Sequence, residues 1–224
     1  RFRMKRWDYY AVFTPNRFFS ATIADLGYAG NIFVYTIDFS SNNLHEEGLV
    51  IPLARGVELP RNSTTGDAHF SDARASLDFK LEPEGRRLAV NWPAFHGGRG
   101  IQVNILLRCP PKHESMTITI PIGKKRFYYN RKINCLPAEG IIRYGEITEE
   151  LIPNESLGSL DWGRGVWNYS SYWNWASASG FLPDKRSIGL NLGCGFGDTS
   201  AATEDALILN GCVHKLGAVK YDYT

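Results

Sequence analysis

Leu190-Asn-Leu-Gly-Cys-Gly-Phe-Gly-Asp198, continuing through Ser200–Leu209 to Asn210-Gly-Cys-Val-His-Lys-Leu216, decides the fold class. Its first half has the look of a glycine-rich nucleotide loop, which requires a strand, a glycine turn and then a helix. The second half excludes that reading. Asn210-Gly211 separates two apolar runs, and Asn-Gly is the strongest short hairpin signal because both turn residues must accept positive φ. A hairpin there makes Ala206–Leu209 a strand, not a helix. No acidic residue follows about twenty positions on to hold a ribose, and no β-α-β alternation precedes the loop. Glycines 193, 195 and 197 instead suit a bulged, sharply curved strand that something packs against closely.

Working outward, alternation dominates. Phe19, Ala21 and Ile23 alternate with polar residues; Phe33, Tyr35, Ile37 and Phe39 follow as one face of the next run. Ala75–Leu81, Leu88–Trp92, Ile101–Leu107, Met116–Ile120 and Ile188–Leu192 repeat the period of two, each bounded by turn residues. This pattern predicts antiparallel sheets with one wet face. No run of ten residues carries a helical stripe. The expectation is an all-β, lipocalin-like antiparallel barrel or sandwich: a first β domain over 1–133 with a long loop at 40–72, and the start of a second β domain over 134–224. A short strand at Leu49–Leu53 could interrupt the loop.

Composition is that of an ordinary globular chain: 224 residues, 43% hydrophobic and 21% charged, with formal net charge +2. That charge makes no case for nucleic acid. No apolar run approaches the roughly 20 residues of a membrane-crossing helix. Cys109, Cys135, Cys194 and Cys212 form no C-x-x-C pair and have no His at zinc spacing, so neither a metal site nor a cofactor is expected. Four reduced thiols in an intracellular protein is the default.

Four of the six tryptophans lie between residues 162 and 175. Trp162, Trp167, Trp173 and Trp175 supply large apolar surfaces, and Asp161, Arg164, Ser177, Asn191 and Glu204 add sparse polar groups. An apolar wall with few placed polar groups suits a small-molecule pocket; a tryptophan-rich core is the bland reading. A carboxyl in such a pocket can stay protonated at neutral pH and act as a proton donor. Asp161 and Asp198 are the candidate acids, although either could simply serve a turn. Lys124–Lys132 interleaves five basic residues with three aromatics, a pattern compatible with peripheral contact to an anionic membrane or with an ordinary solvated strand end.

Lys5-Arg-Trp-Asp-Tyr-Tyr10, Thr22–Tyr28, Lys132–Pro137, Asp161–Trp167, Trp173–Gly180 and Gly195–Thr203 together resemble the family known as domain of unknown function 2804. The resemblance implies kinship with lipocalin-like proteins of the carotenoid hydratase and tocopherol cyclase type, with two barrel-like β domains in a chain longer at both ends. Glu204-Asp205 departs from the family's Glu-Asn, and Glu46–Asp72 has no counterpart. The functional expectation is binding of a lipid, isoprenoid or polyene, with or without cofactor-free hydration, isomerisation or cyclisation. The competing expectation is a structural subunit or scaffold in a larger protein assembly.

Overall fold

The computed structural model describes residues 2–222. The chain forms β1 Met4–Phe13, β2 Arg17–Asp25, β3 Ala29–Asp38, β4 Leu44–Pro52, β5 Ala68–Ser71, β6 Ser76–Glu82, β7 Gly85–Trp92 and β8 Ile101–Arg108. It continues through β9 Met116–Gly123, β10 Arg126–Tyr144, β11 Ile147–Leu151 and β12 Leu157–Val166. The last four strands are β13 Asn174–Phe181, β14 Ser187–Cys194, β15 Ala206–Leu209 and β16 Cys212–Lys215. Among the described residues the first twelve strands make one antiparallel sheet, in the order β4-β3-β2-β1-β12-β10-β8-β7-β6-β5, with β9 and β11 added to β10. The last four make a separate small sheet. The expected all-β antiparallel class is what the molecule adopts, and the hairpin at Asn210-Gly211 is present with φ of 48° and 77°.

The large sheet curls on itself as a half-barrel. Tyr10 of β1 meets Phe79 of β6 edge to face at 5.0 Å between ring centroids. Phe19, Ile23, Ile32, Val34, Phe70, Leu77, Leu88 and Ile105 fill the concave side. Burying large aliphatic and aromatic side chains there stabilises the fold by about 1.5–3 kcal/mol each. β3 buries Ile32, Val34 and Thr36 rather than the run of Phe33, Tyr35, Ile37 and Phe39 read as its face. Phe33 and Tyr35 stand on the other side of the sheet, where they find different work. The 40–72 segment is less of a loop than its composition suggests, because Leu44–Pro52 pairs with β3 from Ala29 to Ile37. Its alternation of exposed and half-covered side chains marks it as the edge strand of the sheet.

β10 is the spine. Its first half pairs with β12 and β9, its second with β8 and β11. The division expected between residues 133 and 134 falls inside this strand, at a bulge between Ile133 and Leu136 where Cys135 has φ of 62°. The bulge reverses the parity of the strand: Ile133 faces the concave core, and so does Leu136 three residues on. Between them Asn134 and Cys135 are free to hold the small sheet. Asn134 Nδ2 donates to Ser177 Oγ at 2.8 Å, and Ser179 Oγ accepts from the Cys135 amide at 3.1 Å. The small sheet thereby lies on the convex side of β1, β2, β3, β10 and β12.

Candidate functional site

Between the two sheets lies a cavity of about 430 Å³. Alternation builds its walls. In β1, Asp8 and Tyr10 point to the concave core while Trp7 and Tyr9 line the cavity. In β2 and β3, Thr22, Ala24, Asn31, Phe33 and Tyr35 do the same. In β12 Asp161 faces the cavity, and its neighbour Trp162 is buried in the concave core. The small sheet and its loops close the other side with Trp167, Trp173, Trp175, Gly193, Phe196 and Glu204. Trp167 is the hub of the aromatic end, with its ring centroid 5.4 Å from Trp7, 5.5 Å from Trp173 and 4.6 Å from Phe196.

The other end is polar. Lys132, only 2% exposed, places its ammonium 2.7 Å from Asp161 Oδ2, 3.6 Å from Glu204 Oε2 and 4.3 Å from the Trp175 ring centroid. Asn130 Nδ2 donates to Glu204 Oε2 at 3.1 Å. Asn191 ties the group together: its Oδ1 accepts from Trp175 Nε1 at 2.8 Å, and its Nδ2 donates to the Glu204 carbonyl at 2.8 Å. Gly193 makes room for the glutamate, since a Cβ there would stand 2.0 Å from Glu204 Oε1. Burial raises the Glu204 carboxyl above its ordinary range, and the Lys132 ammonium opposes part of that rise. Asp161 Oδ1 and Thr22 Oγ1 are buried without a hydrogen-bond partner. An unpaired buried acceptor costs about 1–3 kcal/mol, so this end of the cavity asks for a donor.

The residues singled out from sequence divide accordingly. The cavity brings together Asp161, Trp167, Trp173, Trp175 and Glu204, with Asn191 as their brace. Trp162 and Arg164 lie on the opposite face, because period two turns them away from Asp161. There Arg164 sits 4.2 Å over the Trp162 ring, donates to the Pro60 and Trp7 carbonyls, and approaches buried Asp8 at 3.5 Å. Ser177 is spent on Asn134. Asp198 is exposed, and the backbone amide and hydroxyl of Ser200 hold its carboxyl below the usual range. A solvated carboxylate held below its usual range is biased against donating a proton. Sequence reading missed Lys132, Trp7, Tyr9 and Tyr128. Lys132 closes the basic and aromatic run Lys124–Lys132, which reads as a surface patch, although Tyr128, Asn130 and Lys132 already alternate.

The sequence matches the profile of Domain of unknown function (DUF2804) over residues 1–224. The chain belongs to the DUF2804 family. Among curated proteins, none matches this DUF2804 chain. Solved structures are similar in fold. A Nitrosomonas europaea protein described as an AttH candidate superposes with a TM-score of 0.60 at 16% identity, over 95% of this chain and 68% of its own. Kievitone hydratase from Nectria haematococca gives 0.50 at 12% identity, over 93% of this chain and 63% of its own. Identities this low speak for the lipocalin-like architecture alone. No helix among the described residues is long and apolar enough to cross a membrane.

Proposed function

We propose that this protein binds a small, largely apolar molecule in the cavity between its two sheets and performs cofactor-free proton transfer on it, of the hydratase or isomerase kind. The observation that carries the reading is one ammonium, Lys132, set between two carboxyls, Asp161 and Glu204, at the polar end of an aromatic-walled cavity. One positive charge cannot balance two buried carboxylates, so the cluster favours holding a proton, and Glu204 is its place. Burial biases Glu204 toward its neutral form, with Lys132 opposing part of that bias, which makes it the better placed of the two carboxyls to donate a proton. Tyr9 and Trp175, edge to face with centroids 5.5 Å apart, border the same space, with the Lys132 ammonium over the Trp175 ring; an aromatic wall that holds one cation suits a carbon centre that gains positive charge. Hydration is the reaction in the name of one structural neighbour, kievitone hydratase, which supports the reading by analogy of fold.

The test begins with mass spectrometry of organic extracts from the gently purified full-length protein, beside an unrelated control. A stoichiometric apolar compound is the expected result, and it then serves as substrate for Glu204→Gln and Asp161→Asn. Both variants should retain uptake and lose turnover. Unchanged turnover in both removes the proton-transfer role.

The mutual packing of Trp7, Tyr128, Trp167 and Phe196 supports a second reading, in which the aromatics serve as inter-sheet core in a scaffold. Trp175 separates the two, because it meets the cavity from outside that cluster. Trp175→Ala leaves a folded protein without ligand if the cavity is a binding site, and an unfolded one if the wall is core.

A further inference from the structure

At the aromatic end of the cavity, three pieces of chain distant in sequence arrive together. The register pairs Met4 with Val166 and Phe127 with Val166, so the start of β1, the end of β12 and the start of β10 are neighbours. The turn of the β9–β10 hairpin lies at the same end, through Gly123 opposite Arg126. The segment leaving β12 is pinned to both: the Trp167 amide donates to the Arg3 carbonyl at 3.4 Å, and the Arg126 guanidinium donates to Asn168 Oδ1.

Two kinds of side chain crowd this end. Tyr169 is fully exposed, Tyr172 is 60% and Trp173 50% exposed, and Phe2 projects beside them. Arg3, Lys124 and Lys125 are exposed next to these aromatics. The carboxylates at this end are Asp25, paired with Arg6, and Asp198, whose amide donates to the Pro121 carbonyl. Trp173 belongs to both surfaces, outer face and cavity wall. Tyrosine and tryptophan concentrate where an apolar phase meets water, and lysines and arginines are drawn to the negative surface of an anionic leaflet.

We infer that this end of the molecule docks on an anionic lipid bilayer, so that the cavity is loaded from the membrane past Trp173. The loading half of the statement rests on the cavity being a binding site; the docking half does not. The charge decides the occupant: exposed aromatics alone would suit any apolar partner, but aromatics ringed by Arg3, Lys124 and Lys125 match a surface that is apolar below and negative above.

Co-sedimentation of the full chain with vesicles tests it. Vesicles of phosphatidylcholine with about one third phosphatidylserine should retain the protein, and pure phosphatidylcholine should not. Lys124→Gln/Lys125→Gln should weaken retention by about 30-fold, given the contribution of each juxtamembrane basic residue. Tyr169→Ala/Tyr172→Ala, at two exposed positions, should weaken it without changing the melting temperature. Uptake of the neutral fluorophore N-phenyl-1-naphthylamine from solution is measured in parallel. Retention that ignores lipid charge, or that survives both double variants, overturns the docking. Failed docking with intact dye uptake leaves the cavity reading standing, and intact docking without dye uptake removes that reading alone.

Discussion

Replacing Lys132 with methionine keeps the length and the apolar stem and removes the charge. Wild-type Lys132 lies 2.7 Å from one carboxylate and 3.6 Å from the other, and is itself 2% exposed. Removing one partner of a buried ion pair costs about 3–5 kcal/mol, because the charges left behind keep their desolvation penalty. Methionine restores part of the lost packing against Trp175, so the lower half of that range is expected at pH 7.5. Against a net stability of about 5–15 kcal/mol the variant still folds, and its urea midpoint falls by about 1–2 M. The loss depends on pH, and its sign is fixed. Without the ammonium, nothing offsets the burial that already holds the Glu204 carboxyl above its unfolded value, so that rise grows. A carboxyl with a raised folded pKa gains stability as pH falls through it, and the gain is complete below the unfolded value near 4. Lys132→Met should therefore be most destabilised at pH 7.5, less so at pH 6, and near wild type at pH 4. Urea titration followed by tryptophan fluorescence at those three pH values is the assay. A loss under about 1 kcal/mol that is the same at all three would mean that water reaches these carboxylates freely, and the proton-holding argument would fall with it.

Other expectations follow from the same geometry. Burial pushes the Asp8 carboxyl up to about 6, with the Arg164 guanidinium opposing it. Wild type should gain roughly 2 kcal/mol from this residue between pH 7 and pH 4, and Asp8→Asn should lose that slope in parallel denaturation curves. Gly193→Ala drives Glu204 out of its seat, because the new Cβ would lie 2.0 Å from Oε1. It should abolish turnover, and the crystal structure should show Lys132 paired to Asp161 alone. Asn191→Ala removes the acceptor of Trp175 Nε1 and the donor to the Glu204 carbonyl. Two buried groups left unpaired cost about 2–5 kcal/mol, which differential scanning calorimetry would register as a lowered melting temperature.

Strand content and the Asn210-Gly211 hairpin could be read from sequence because both rest on local chemistry: a period of two and a turn that needs positive φ. Sidedness could not. Phe33 and Ile32 are equally apolar, and only the pairing of β3 between β2 and β4 says which of them meets the concave core. The tryptophan-rich run stands out in the sequence, yet a single wall does not follow from it, because the alternation within β12 sends Trp162 and Asp161 to opposite faces. Lys132 needed still more, since its partners come from β12 and from the loop before β15. Contacts between residues so far apart leave no local trace.

The pairing of β1 with β12 has a consequence for the growing chain. Met4 waits for Val166, and Tyr10 for Leu160, so about three quarters of this sequence is made before β1 is enclosed. At a synthesis rate of about 5–20 residues per second, that interval is on the order of ten seconds or more. Throughout it β1 has β2 on one side and an unsatisfied edge on the other, with Trp7, Tyr9, Tyr10 and Val12 uncovered. Such an edge is a template for the wrong partner. Slower translation between β1 and β12 should therefore raise the insoluble fraction of the protein, read by fractionating lysates.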